Sequence, residues 1–456
     1  MSIIDFYEKN RDLIGEEVAV LDSPLKNKLS KYSYIFFNIK SRIFVKDGEL
    51  NIDGDKKNNR NLYEEIMGKF TEEKNIVAKE EEQDFFTAGA FTVFSYDFGK
   101  YIEKLPDYSE DDLKFPDFYM GFPSEIIVKD EINDIFYYCG NENRQWKEGE
   151  ISEVKLYFTE IEKVDEELFK KNIEKEKFYE IVEKAKKYIK EGDIFQVNLS
   201  QRFSAEFDKK DGLELYKILR KINPSPFASY VNTEEFSIVS QSPERLISQG
   251  SNKVIQTRPI AGTRRFKNEN KIEMERELLL SEKERAEHVM LVDLERNDIG
   301  KVAEIGSVCA DEFMVIEKYS HVMHIVSNVT GRLRENLNWL DLISAMFPGG
   351  TITGAPKIRS MEIIEELEPN KRGFYTGSLG FVDFNGKMDI NIIIRSFILK
   401  NNTAYFQTGA GIVYDSIPEK EYFETINKAR AMILAYKNFY AGRGSDGKRD
   451  SILFRR

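Results

Sequence analysis

Glu284 and Glu287 stand three residues apart with His288 beside them, and far down the chain Glu421 and Glu424 repeat that spacing with Lys428 one turn on. Residues three and four apart share a helix face, so each set presents its charges in one direction. Where the two faces converge, four carboxylates, an imidazole and an ammonium surround one small volume. Carboxylate oxygens in that arrangement suit a hard divalent cation, Mg²⁺. One such pair alone is ordinarily a solvated helix face. Here both stand near other unusual segments.

Phe347-Pro-Gly-Gly-Thr-Ile-Thr-Gly-Ala-Pro-Lys joins a turn to a helix predicted from Ile358, Met361, Ile364 and Leu367, with Pro356 at its first turn. Glycines before a helix leave backbone N–H groups open to an anion. The G-x-x-x-x-G-K-[ST] order of a P-loop is absent. Gln407-Thr-Gly-Ala-Gly-Ile-Val-Tyr-Asp-Ser reads as a strand ending in Gly409 and Gly411. Glycine there lets a backbone approach a ligand, although a bulge also explains it. His288, His321 and His324 are the only histidines and cluster without zinc-motif spacing. Arg258-Pro-Ile-Ala-Gly-Thr-Arg-Arg reads as a basic turn or an exposed loop, and Glu244 follows a proline as at a turn or helix start.

The elements that must carry these residues follow from pattern and composition. At 456 residues the chain exceeds one ordinary core, so two domains or one large interleaved one are expected. Residues 1–165 form a β-rich part, with runs such as Tyr34-Ile-Phe-Phe-Asn and Phe91-Thr-Val-Phe-Ser-Tyr. Residues 175–437 mix strands and helices without a regular βαβ period, and 441–456 read as a disordered tail. Phe178, Ile181, Val182, Ala185 and Ile189 make one helical stripe that Gly192 stops. A net charge of -12 argues against a nucleic-acid or acidic membrane surface. Cys139 and Cys309 are the only cysteines, too few for a disulfide framework. The N-terminus lacks a signal-peptide pattern and no stretch has the length of a membrane span, so a cytoplasmic setting is expected.

Six segments in order carry a resemblance: Phe195-Gln-Val-Asn-Leu-Ser, Ser242-Pro-Glu-Arg, Pro259-Ile-Ala-Gly-Thr, Glu284-Arg-Ala-Glu-His through Asp293 and Arg296-Asn-Asp, Gly349-Gly-Thr-Ile-Thr-Gly-Ala-Pro-Lys, and Gly409-Ala-Gly-Ile-Val through Lys428. Together they resemble the chorismate-binding enzymes, namely component I of anthranilate synthase and of aminodeoxychorismate synthase, with isochorismate and salicylate synthases as cousins. The resemblance implies an α/β (α+β) fold, a large two-sheet β-sandwich with helices outside. It implies Glu287 and Glu424 as Mg²⁺ ligands, with Glu284 and Glu421 as near or water-mediated partners. Lys428 and Arg395 match carboxylate-binding positions. Tyr375, Thr351 and the backbone at Gly409 and Gly411 match other substrate contacts, and His288 and His324 match residues lining the site. Glu244 matches the acid that protonates the departing hydroxyl, a role that needs burial to raise its pKa.

Within the family, isochorismate and salicylate synthases carry a water-activating lysine where this chain has Gln196. Glutamine cannot act as that base, which implies ammonia as the nucleophile. No cysteine has glutaminase-like surroundings, so a separate glutamine amidotransferase subunit is implied. Phe94-Ser-Tyr-Asp-Phe-Gly-Lys-Tyr-Ile-Glu-Lys-Leu-Pro resembles aminodeoxychorismate synthase, the enzyme leading to para-aminobenzoate and folate. Ala261, where many such enzymes have lysine, is usual in anthranilate synthase. The first product is favoured, and anthranilate is the alternative. Leu21-Asp-Ser23 resembles a segment where family members bind tryptophan; an ordinary strand and turn is the simpler reading.

Overall fold

The computed structural model describes residues 1–25, 31–58, 61–76, 83–149, 153–160, 168–265, 271–319 and 322–443. His321 and the tail beyond 443, with Leu453 and Phe454, lie outside them. The strand Tyr32–Lys46 is the spine of the fold. Its second half alternates, with Ile43 and Val45 inside and Arg42, Phe44 and Lys46 half-exposed, the period-two pattern of a strand covered on one face. Its first half is buried on both faces.

Two antiparallel arms grow from this spine. One runs through Val18–Asp22, Phe227–Asn232, Ser237–Ser242, Ser396–Lys400 and Thr403–Ile412 to Gln196–Glu206. The other runs through Phe118–Asp130, Gly89–Phe94, Ser378–Asp383, Met388–Ile392, Arg245–Gln249 and Val254–Thr257 to Val322–Arg332 and Cys309–Tyr319. Strand pairing therefore joins residues before 140 to residues after 220 in both arms. The result is the expected mixed α/β fold, dominated by antiparallel sheet with helices packed on it.

The chain steps between the arms at two places. Ser237–Ser242 belongs to the first arm and Arg245–Gln249 to the second, with Pro243 and Glu244 between. Met388–Ile392 belongs to the second and Ser396–Lys400 to the first, with Ile393 to Arg395 between. Hydrogen bonds lock the two crossings together: the Ile392 N–H donates to the Glu244 carbonyl at 3.0 Å, and Gln241 N–H to the Arg395 carbonyl at 3.2 Å.

The predicted helix appears as Lys175–Glu191, burying Phe178, Ile181, Val182 and Ala185, and ends at Gly192 with φ of +87°. It packs against Pro418–Gly442, which also packs against Gly212–Ile222, along the first arm. Glu282–Gly300 packs on the second arm. The helix after the glycine-rich turn runs Lys357–Leu367, with Pro356 at its N-cap rather than in its first turn. Its buried face is Lys357, Ser360, Met361, Ile363, Ile364 and Leu367, and Ile358 points outward. The sequence stripe was one residue out of phase at its start, because Lys357 and Ser360 are buried polar residues that a hydrophobic count passes over.

A buried ion pair ties that helix's end to the sheet. Arg372 donates to Glu368 from Nε at 2.9 Å and Nη2 at 2.7 Å, and also to the carbonyls of Ile352 at 3.0 Å and Asn198 at 2.6 Å. Both side chains are almost fully buried. Removing one partner strands the other charge, which costs about 3–5 kcal/mol. Arg372→Met is therefore expected to lower unfolding free energy by roughly that amount in urea titration. A loss below about 1 kcal/mol, the scale of a surface pair, would contradict the assignment.

Candidate active site

The crossings place Glu244 and Arg395 together, in the gap between the arms. Glu244 is buried, and burial pushes its carboxyl up to about 7, although the neighbouring Thr351 hydroxyl, Arg395 and Lys428 each pull it down. Arg395 has φ of +52° and Thr376, next to Tyr375, has φ of +59°. Both are non-glycine residues in the left-handed region, a costly conformation that concentrates at functional sites.

The first arm brings the glycines and Lys428. Lys428 donates to the Gly409 carbonyl at 2.9 Å and pairs with Glu424 at 2.8 Å. A Cβ on Gly409 would stand 2.2 Å from Asn198 Oδ1 and 2.9 Å from the Tyr375 hydroxyl, and one on Gly411 would stand 2.5 Å from Gln196 Nε2. Glycine is thus needed there to make room for neighbouring side chains, a reason the sequence did not supply. Glu244, Thr351, Arg395, Lys428, Tyr375, Gln196 and the two glycines form one connected group.

The second arm brings the histidines. His288 is buried, its Nε2 2.6 Å from Ser327 Oγ, and burial brings its pKa down to about 4. His324 Nδ1 lies 3.2 Å from the Gly262 carbonyl, and burial, with Arg395 nearby, brings it too down to about 4. Both imidazoles are neutral at pH 7. A Cβ on Gly262 would stand 2.7 Å from a Glu284 carboxylate oxygen, which puts Glu284 beside His324's partner. Ala261 is buried in the strand Ile260–Arg265, paired with Ile325, so this segment is neither turn nor exposed loop. Arg258 before it is held by Glu312 and Glu317.

Glu284 and Glu287 lie half-buried on Glu282–Gly300, against the second arm; Glu421 and Glu424 lie on Pro418–Gly442, against the first. Among the described residues no three acidic, histidine or cysteine groups gather as a ready-made metal cage. The donor chemistry still fits Mg²⁺, which commonly takes one or two protein carboxylates and fills its shell with water and substrate oxygens.

Two further residues belong near this group. Glu295, buried one helical face along from His288, sits by Thr257 and near Asp298, Lys357 and Glu244, and burial pushes its carboxyl upward. Positions 284, 288, 291, 295 and 298 share one helix face, so the periodicity that marks His288 also reaches Glu295. Asn198 lies in the Phe195-Gln-Val-Asn-Leu-Ser segment, two residues after Gln196 and on the same strand face.

The sequence matches the chorismate binding enzyme family over residues 21–434. That span holds every residue of the group above. The chain belongs to the chorismate-binding enzyme family. It is 46% identical over 361 residues to aminodeoxychorismate synthase component 1 of Bacillus subtilis, covering 76% of each chain. It is 42% identical over 391 residues to anthranilate synthase component 1 of Aquifex aeolicus, covering 81% of this chain and 78% of that one. The crystal structure of anthranilate synthase component I from Streptococcus pneumoniae superposes with a TM-score of 0.75 at 34% identity, covering 90% of this chain and 93% of that one. This chorismate-binding enzyme is thus similar at nearly equal levels to relatives with two different products.

A cavity of about 640 Å³ is lined in part by Arg245. It is lined by Leu21, Asp22, Ser23, Phe227 and the Arg245–Asp389 pair, whose contacts are both 2.8 Å. The chorismate-binding enzyme therefore has a solvent-open cavity at the segment singled out for tryptophan. Among the described residues no helix is long and apolar enough to cross a membrane.

Proposed function

We propose that this chain is an aminodeoxychorismate synthase component I, which aminates chorismate with ammonia delivered by a separate glutamine amidotransferase subunit, in the cytoplasm. The observation that carries the amination reading is a buried Gln196 at the position where the resemblance puts a water-activating lysine in the isochorismate synthases. Arg395 offers a bidentate grip for the enolpyruvyl carboxylate. Lys428, Tyr375 and Thr351 surround the rest of the substrate, and His288 and His324 line the pocket as neutral groups. Glu244 gives its proton to the departing hydroxyl, which leaves as water. The ammonia lone pair forms the C–N bond, and the proton shed by the new ammonium group restores Glu244. Mg²⁺ held by Glu287 and Glu424, with Glu284 and Glu421 nearby, would supply Lewis-acid polarisation of the ring carboxylate.

Ala261 supports a second reading, anthranilate synthase component I, because alanine cannot form the covalent ring adduct that a lysine there can. The preference for aminodeoxychorismate rests on the Phe94 to Pro106 segment and on the Bacillus subtilis relative. The cavity behind Leu21 to Ser23 would suit a regulatory amino acid such as tryptophan.

Product analysis separates these readings. The purified chain with chorismate, Mg²⁺ and ammonium salt is expected to accumulate aminodeoxychorismate, converted to para-aminobenzoate once a lyase is added. Glutamine alone should give nothing until an amidotransferase is supplied. Anthranilate with pyruvate as the sole products would replace the first reading with the second.

A further inference from the structure

Gln196 and Asn198 are neighbours on one face of the strand Gln196–Glu206. Gly411 is the register partner of Asn198, and Gly409 that of Ser200. Both amide side chains therefore lean diagonally over the adjacent strand, across glycines that alone leave them space. Gln196 is buried, and so is the Asn198 carbonyl oxygen. Gln196 Oε1 and Asn198 Oδ1 accept no hydrogen bond among the described residues. Burying an acceptor without a donor costs on the order of 1–3 kcal/mol, so two side by side on one strand face need an explanation.

We propose that these two carbonyl oxygens are the seat of the ammonia nucleophile. The inference rests on the amination reading above and adds Asn198 as the second half of the seat. Ammonia has three N–H donors and one lone pair. Two donors given to Gln196 and Asn198 fix the molecule and leave the lone pair directed away from the strand, toward the substrate pocket. Neither amide can remove a proton, so water held on the same oxygens stays a poor nucleophile. Lys428, paired with Glu424, stands on the Gly409 carbonyl beside Asn198, so one side of the seat already holds a cation.

The test uses the full-length chain with ammonium salt, with rates expressed against free ammonia. Asn198→Leu and Gln196→Met preserve shape and remove the acceptors. Each is expected to raise the KM for ammonia tenfold or more and to leave the KM for chorismate within twofold. A purely structural role would instead move both constants or lower the melting temperature alone. If Asn198→Leu fails to fold, Gln196→Met together with Asn198→Ala, which is smaller and also lacks the acceptor, carries the same comparison. Unchanged ammonia KM in folded variants of both positions overturns the seat while leaving amination intact. A wild type that makes no aminated product overturns the amination reading itself.

Discussion

Glu244→Gln is expected to lower turnover about a thousandfold while chorismate still binds, because the isostere keeps shape and loses only the transferable proton; general-acid catalysis is worth roughly 10²–10⁴-fold. Wild-type pH dependence should carry the same signature. The acid works protonated, and burial holds it near 7, so the rate at fixed free ammonia should fall as pH rises through about 7. Free ammonia itself increases over that range, so an uncorrected profile would hide the fall. Initial rates from mildly acidic to alkaline pH, corrected for ammonia, with chorismate binding by calorimetry, decide the matter. A corrected rate that climbs steadily with pH would remove Glu244 from the acid's role.

Glu287→Gln and Glu424→Gln are each expected to cost about 10²–10³-fold in activity, since a Lewis acid contributes several kcal/mol to the barrier and each 1.4 kcal/mol is tenfold. Both should bind Mg²⁺ more weakly in a calorimetric titration with chorismate present, a measurement independent of turnover. Stability should change little for Glu424→Gln, because Glu424 and Lys428 form a half-exposed pair. Wild-type Mg²⁺ affinity in both variants would exclude them as ligands.

Much of this was legible in the chain itself. Short motifs in fixed order pointed to the family, and with it the mixed α/β fold dominated by antiparallel sheet, because such motifs mark turns and crossings whose geometry tolerates few residues. The helix Lys175–Glu191 was legible because its buried face is wholly apolar and repeats every 3.6 residues. What stayed hidden depends on register between distant strands. Gly409 and Gly411 could be seen as special, but not that Asn198 and Gln196 lie across them, since that follows from pairing between strands about two hundred residues apart. Ala261 looked like part of a loop because Pro259 and Gly262 flank it; pairing to Ile325 makes it a strand. Glu295 escaped notice because an acidic residue within a charged helix reads as solvent-facing until its burial is known.

The spine shared by both arms has a consequence for synthesis. Gly89–Phe94 is paired on one side by Phe118–Asp130, but its other edge waits for Ser378–Asp383. At ~5–20 residues per second that partner leaves the ribosome on the order of tens of seconds later. Until then an apolar strand edge is open to any other chain, the condition that favours aggregation. A nascent chain cut anywhere before residue 378 should therefore be a client for chaperones rather than a folded fragment, and the pocket between the crossings can close only when translation is nearly done.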